Sequence, residues 1–472
     1  MVLLDIKKIK NVSLYSASVY ISQFVFGVSS ILIKNILGPL LTGKFAFLNM
    51  LYRYMTYGHL GIRFSIDKNL PSIYNESLEE DIKKFESKSI NSVLFLELCF
   101  FIILSIGIFI FYNPPTSKYL VYTMLLAGVF FSINELYKVI YRAQQRTIDI
   151  AKYTLSYYIF FSLTQLITVY IFGFDGLIIS ILFYNVLFFL VYFLAIKKER
   201  ISFNLDFSFM KERIKDGLPL FINGLIMFTL LNIDKWFILS YFNEEQLGYY
   251  SVATMFFSMF MILPNTLTEV LFPDLIIKIG NERKEKIVID LVDDIYILSK
   301  IFYLLISTFI FLLPLFIKFI MPDYRLSISV ARVLVIGIFS FAISGLGSYL
   351  LMGYNKKKTI LSISGFSLFV AIFLNYILLN YFYMDIISIA IASALTYLIY
   401  GFIYLFILFN LSNFRLNKKY IYIIIFHLLK IIIVLIVNIF YQFEIIYFVI
   451  VFLFILDTIF EMMTIYAEVS NK

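Results

Sequence analysis

The chain has 472 residues, 61% of them apolar, 19% aromatic and only 15% charged, with a mean hydropathy of +0.90. Soluble domains lie near half apolar and about a quarter charged, so this composition defines an integral membrane protein and excludes a water-soluble catalytic domain. The net charge of +8 is not gathered on one polar face, which removes the argument for nucleic acid, and the single cysteine, Cys99, excludes an internal disulfide.

Residues 1–11 form a basic head with Lys7, Lys8 and Lys10. The apolar run 12–37 is too long for a signal-peptide core and has no small-residue cleavage site after it, so an uncleaved first span is expected. Further runs follow at 45–64, 91–111, 119–141, 153–171, 177–196, 217–240, 248–273, 295–317, 328–352, 360–379, 387–409, 421–440 and 446–465. Each is close to the roughly 20 residues a helix needs to cross a bilayer. The expected fold class is all-α integral membrane, with about 14 transmembrane helices. The polar stretches 65–90, 197–216 and 274–294 are too short to bury cores of their own.

Basic residues set the orientation. The loops on the side of the N-terminus hold 27 of the 39 Lys and Arg, whereas the opposite loops hold four, Lys44, Lys118, Lys318 and Arg325. That bias makes the first set, and both termini, cytoplasmic. The opposite loops are all short, which argues against an enzyme that works on exported glycans through a large external loop.

The chain also repeats itself. LGPLLTGKFA at 37–46 is echoed by NEEQLGYYSVA at 243–253. Asn69-Leu70-Pro71 is echoed by Leu271-Phe272-Pro273, and Tyr141-Arg142-Ala143-Gln144-Gln145-Arg146 by Gly353-Tyr354-Asn355-Lys356-Lys357-Lys358. Partners are six spans apart, an even number, so a parallel repeat is expected with a site between the halves. The expected organisation is an N-terminal six-helix lobe over 1–196, a cytoplasmic linker over 197–216 and a second six-helix lobe over 217–409. Two additional helices and a tail fill 410–472.

The motifs that carry this repeat also carry a resemblance. Leu37-Gly38-Pro39, Gly43-Lys44-Phe45-Ala46, Tyr57-Gly58-His59-Leu60-Gly61-Ile62 and Asn69-Leu70-Pro71 resemble the opening of bacterial polysaccharide flippases. Gly217-Leu218-Pro219, Asp234-Lys235 and Leu247-Gly248-Tyr249-Tyr250-Ser251 resemble the start of their second half. The family belongs to the multidrug/oligosaccharidyl-lipid/polysaccharide exporter superfamily, and its O-antigen repeat-unit branch is the most similar. The resemblance implies two parallel six-helix, MATE-like lobes with two C-terminal helices. It implies a cargo of oligosaccharide on undecaprenyl pyrophosphate, coupling to H+ or Na+, no cofactor, and a bacterial plasma-membrane location among membrane lipids and other polysaccharide-assembly proteins.

Such a cargo needs cations for its phosphates, polar groups for its sugars, and an acid to couple an ion. Lys34 falls on one helical stripe with Gln23, Gly27 and Ser30, since eleven residues turn about 1100°. It either faces a polar interior or snorkels from the outer end of its span. Arg53, near the centre of the run 45–64, is a candidate anion ligand or half of a structural ion pair. Glu97 is a candidate partner for Arg53 and a candidate coupling acid.

Asp234 shares a face with Asn223 on a continuous helix, while Lys235 projects about 100° away. Asp234 is the leading coupling acid. Lys235 joins Arg53, Lys34, Gln23 and Asn223 as the expected substrate-binding set, with interhelical ion pairs as the alternative for Asp234 and Lys235. Glu135 and Lys138, three apart, are expected to pair locally.

Glu269, Lys300, Arg332, Lys430, Asp457 and Glu461 lie near span ends and are read as interfacial. His59 and His427 are read as satisfied or interfacial, giving no basis for a metal centre. Pro219, Pro264 and Pro273 permit bending, with Pro264 the best-placed hinge. No phosphate-binding Gly-rich Lys-Ser/Thr loop and no Asp-x-Asp occurs, so ATP hydrolysis and metal-dependent glycosyl transfer are disfavoured. The competing readings are a multispan polymerase or transferase of surface-glycan assembly, and a drug exporter of the same fold.

Overall fold

In lipid a backbone can pair only with itself, and the computed structural model is almost entirely helical over the described residues. These are 6–76, 78–111, 116–144, 146–195, 205–381, 385–411 and 418–440, with the single positions 457 and 463. Two compact units divide the chain, Met1–Leu225 and Ile226–Lys472.

The first unit contains α1 (Ile6–Met55), α2 (Ile62–Glu76), α3 (Glu79–Phe111), α4 (Lys118–Ala143), α5 (Thr147–Ala195) and the start of α6 (Phe207–Leu230). The second holds α7 (Ile233–Tyr241), α8 (Glu244–Asn281), α9 (Lys284–Ile320), a 3-10 turn at Pro322–Tyr324 and α10 (Ser327–Leu334). It continues with α11 (Ile336–Gly353), α12 (Lys357–Tyr381), α13 (Ile386–Leu411) and α14 (Lys418–Phe440).

Helices and expected spans do not correspond one to one. Among the described residues nine helical stretches are long and apolar enough to cross a membrane, and α6 with α7, bent by 42°, make a tenth. Two of these, α1 and α5, are each two helices joined at one non-helical glycine, Gly38 (φ 73°) in α1 and Gly173 (φ 61°) in α5, a conformation that a side chain would strain. These glycines fall where the outer loops 38–44 and 172–176 are expected, so the links between spans are shorter than expected. The expected span 446–465 lies outside the described residues apart from Asp457 and Met463.

The second expected span also differs. Instead of one helix over 45–64, α1 ends at Met55, a turn covers 56–61, and α2 starts at Ile62. Asn69-Leu70-Pro71, expected to end that span, lies inside α2. Helix α6 starts at Phe207, so the last ten residues of the expected linker are helical.

Packing between apolar helices in lipid relies on close approach of small residues. In the first unit, α5 lies along α1 and α4, and Gly128 of α4 sits against Met55, whose Cβ would be 2.7 Å from an added methyl. In the second unit, α11 and α13 meet through Gly337 under Tyr397, Gly347 under Tyr404, and Gly401 against Ser340. Outward faces are apolar, with Ile102, Phe109, Phe369 and Phe373 exposed as a lipid-facing surface requires.

The tightest approach is between α6 and the turn before α2. A Cβ added at Gly217 would lie 2.0 Å from the Gly61 carbonyl oxygen. Beside it, Asp216 accepts from Ser65 (2.8 Å), Lys68 (2.7 Å) and Asn69 (2.7 Å), clasping α6 to α2. Gly217→Ala forces backbone apart and is expected to cost about 1–3 kcal/mol. A lower thermal midpoint in detergent checks this; an unchanged midpoint contradicts it.

Candidate functional site

The turn at 56–61 gathers much of the first unit's buried polarity. Thr56 Oγ1 donates to the Arg53 carbonyl (2.7 Å), and Gly61 N–H donates to His59 Nδ1 (3.0 Å). His59 is fully buried, and with Nδ1 accepting, its proton belongs on Nε2, which has no partner. Interfacial histidine is therefore the wrong description of His59. It is half-satisfied inside the fold.

Glu97 of α3 is packed against this turn. It is fully buried, accepts the Ser132 hydroxyl of α4 on Oε1, and has no partner on Oε2. Gly58 makes room for it, since a Cβ there would come within 2.5 Å of Oε2. Arg63 of α2 acts electrostatically on both Glu97 and His59 and carries an unpartnered Nη1. Glu97 is thus not the ion partner of Arg53. The three polar groups around it come from α2, α4 and the turn.

Arg53 occupies the last turn of α1, not the middle of a helix. A helix C-terminus favours a cation there. Its guanidinium is exposed, stacked 4.9 Å from the Phe131 ring and 5.5 Å from that of Tyr52, with no carboxylate in salt-bridge range among the described residues. Glu135 and Lys138 of α4 do pair, at 2.7 Å, and the Arg53 charge is felt at Glu135. Arg53 is therefore a cation in reach of solvent with charge to offer, beside a pair that is internally neutral.

In the second unit the acid–base pair has split. The helix breaks at Leu231–Asn232, so no continuous 100° ladder connects Asn223 with Asp234, and their expected common stripe fails at that break. Asp234, only 1% exposed, accepts from the Tyr250 hydroxyl (2.6 Å) and from the Lys235 backbone N–H (2.8 Å). Ser393 of α13 is 3.5 Å from the same hydroxyl. Lys235 turns back to Asn232 Oδ1 at 2.7 Å. Asp234 is a desolvated carboxylate joined to α8 and, through Tyr250, to α13.

Lys34 is buried at 8% exposure, which answers the interior-or-snorkel alternative in favour of the interior; Gln23 and Asn223 are half-buried. Interfacial readings give way to burial for two residues: Arg332 is buried and donates to the Ile310 carbonyl (3.2 Å), and Lys300 is buried against Tyr296. Lys430 is half-buried and pairs with Asp457 at 2.8 Å. His427 is buried and bonded to Ser299 (2.9 Å), a satisfied histidine. Pro264 lies within α8. The side chain of Glu269 and all of Glu461 lie outside the described residues.

Sequence reasoning missed Ser132, Arg63 as a neighbour of Glu97, and the clasp at Asp216. It read Tyr250 as part of a helix opening; the signal was its place sixteen residues after a buried acid. Ahead of α6, Asp206 is held below the usual carboxylate range by Lys88 (2.7 Å) and the Phe209 N–H (2.9 Å).

A family model described as polysaccharide biosynthesis protein matches residues 75–283. The lipid II flippase MurJ, in an inward closed conformation, has TM-score 0.72 at 17% identity, covering 97% of this chain and 99% of that one. An inward-facing multidrug-resistance MATE family transporter of the MOP superfamily has TM-score 0.70 at 13% identity, covering 85% and 99%. A MOP-superfamily transporter from Pyrococcus furiosus, described by a binding pocket of reversed polarity, has TM-score 0.60 at 14% identity, covering 86% and 97%. No curated protein sequence matches.

The likeness to these structures defines a class: a multi-pass helical membrane protein with the fold shared by MATE transporters and the lipid II flippase. Together with the family match over residues 75–283, this likeness in fold agrees with the resemblance read from the motifs.

Proposed function

We propose that the chain is a flippase that moves an undecaprenyl-pyrophosphate-linked oligosaccharide repeat unit across the bacterial plasma membrane for surface polysaccharide assembly. Both termini are cytoplasmic in this reading, and two lobes work by alternating access. Arg53 is the observation that carries it. An exposed guanidinium without a carboxylate partner among the described residues, in a protein of this fold, suits an anionic cargo and not a cationic drug. The polysaccharide family match and the similarity in fold to a lipid II flippase support the same cargo class.

In this mechanism Arg53 holds the pyrophosphate, with Lys34 and Lys235 as further cations and Gln23 and Asn223 as polar contacts. Asp234 exchanges H+ or Na+ and biases two conformations, and Glu97 is a second acid available for coupling. Cells depleted of the protein are expected to accumulate undecaprenyl-linked repeat units on the cytoplasmic leaflet. Their absence, measured by mass spectrometry of lipid extracts, contradicts the assignment.

A further inference from the structure

Glu97 is a carboxyl with half its hydrogen bonding missing. It is fully buried, its Oε1 accepts the Ser132 hydroxyl, and its Oε2 has no partner among the described residues. Backbone fills the space beside that oxygen, since a Cβ on Gly58 would come within 2.5 Å of it. An ionised carboxylate with one bare oxygen is far costlier inside a membrane protein than the neutral acid. The arrangement is therefore that of a protonated Glu97.

Its neighbours decide which ion it can exchange. Arg63 of α2 acts on Glu97 through its charge and not through a hydrogen bond, and its buried Nη1 has no partner among the described residues. The His59 backbone N–H acts on Glu97 from the turn, and α4 contributes the Ser132 hydroxyl. Among the described residues α1 adds no charged group there. The His59 ring is neutral, because its Nδ1 accepts from the Gly61 N–H. Every neighbour thus presents a donor or a positive charge. Na+, like other hard cations, needs a shell of oxygen acceptors, and these groups would repel it. A proton needs one oxygen and no cavity.

The turn packed on Glu97 is strained. Leu60 (φ 48°) and Gly61 (φ 95°) are both left-handed, and a bulky residue stays in that region only where its surroundings hold it. Arg63 follows directly, half-buried in the first turn of α2, where a helix disfavours a cation. An anion at Glu97 would give that guanidinium a better partner than the Phe64 ring it now lies over at 5.6 Å.

We propose that Glu97 is a proton-binding site that excludes Na+, and that loss of its proton draws Arg63 into an ion pair and remodels the turn at 56–61. The proton passes from the Glu97 O–H to water, and the carboxylate left behind takes the guanidinium as its partner. Reprotonation breaks the pair and restores the turn. The inference rests on the ion-coupled part of the proposed function, naming its ion and its moving element, and not on the cargo.

Infrared difference spectroscopy of the full chain in liposomes, between low and high pH, tests it with no cargo present. The wild type is expected to lose a protonated-carboxyl C=O band as pH rises, equally in sodium chloride and in choline chloride. Glu97→Gln keeps an acceptor for Ser132 and is expected to lack that band. Ser132→Ala is expected to shift its frequency, because the hydroxyl donates to this carboxyl. Hydrogen exchange at 56–61, corrected for its intrinsic pH dependence, is expected to change over the same range in the wild type. That change is expected to vanish in Glu97→Gln and in Arg63→Gln. No such band in the wild type, or one untouched by Glu97→Gln and Ser132→Ala, overturns the proton site, and a band that Na+ displaces overturns its selectivity. Exchange at 56–61 that responds alike in the wild type and both variants overturns the switch. Each of these failures leaves the cargo reading standing, and failure of the depletion experiment leaves the proton site standing.

Discussion

Arg53→Ala is expected to abolish surface polysaccharide while the protein still inserts at its normal level. The side chain is exposed at the end of α1 and makes ring contacts to Tyr52 and Phe131 but no ion pair among the described residues. Its removal therefore leaves no buried carboxylate stranded, and the fold loses little. On the proposed function, what is lost is a charge-assisted contact to phosphate, worth about 1.5–3 kcal/mol, or roughly ten- to hundredfold in affinity. Arg53→Lys keeps the charge but not the two-pronged geometry and is expected to fall between wild type and alanine. Gel analysis of surface glycan beside membrane immunoblots of the variant is the check. Wild-type glycan from Arg53→Ala at normal expression would remove Arg53 from the site.

Asp234→Asn is expected to stop export without melting the second unit. The substitution keeps the shape of the side chain and one oxygen for the Tyr250 hydroxyl (2.6 Å), gives up the acceptor that the Lys235 N–H uses (2.8 Å), and removes the charge that an exchanged ion would answer. A bracing role makes a different forecast, because a brace is weakened from either end. On that account Tyr250→Phe and Asp234→Asn would both lower the thermal midpoint and reduce export in proportion. On the coupling account Asp234→Asn keeps the midpoint, and residual export no longer responds when the proton or sodium gradient is collapsed. Full, gradient-sensitive export by Asp234→Asn contradicts the coupling role.

Much of the fold was legible because lipid permits so few solutions. Apolar runs near 20 residues had to be helices, and the described residues are helical over nearly all of those runs. Helix boundaries were less legible. Hydropathy cannot distinguish a loop of several residues from a single non-helical glycine between two helices, as at Gly38 and Gly173. Nor could it locate the turn at 56–61, where Tyr57-Gly58-His59-Leu60-Gly61 is apolar enough to continue a span.

The site residues were legible as charges out of place, but not as neighbours. Helical geometry correctly separated Asp234 from Lys235, yet it assumed a continuous helix, and the break at Leu231–Asn232 cancelled the stripe with Asn223. Arg332 and Lys300 looked interfacial from their distance to span ends; burial by neighbouring helices decided otherwise. Partners from distant sequence positions, such as Ser132 for Glu97 and Tyr250 for Asp234, follow from packing that no local pattern encodes.

Leaflet-resolved glycolipid analysis after depletion tests the central claim most directly. Spheroplasts from depleted cells are treated with a membrane-impermeant pyrophosphatase, and undecaprenyl-linked saccharides are then extracted and weighed by mass spectrometry. The flippase account predicts accumulated repeat units that are protected from the enzyme until the membrane is permeabilised. Accumulation of repeat units already open to the enzyme, or no accumulation at all, would contradict it.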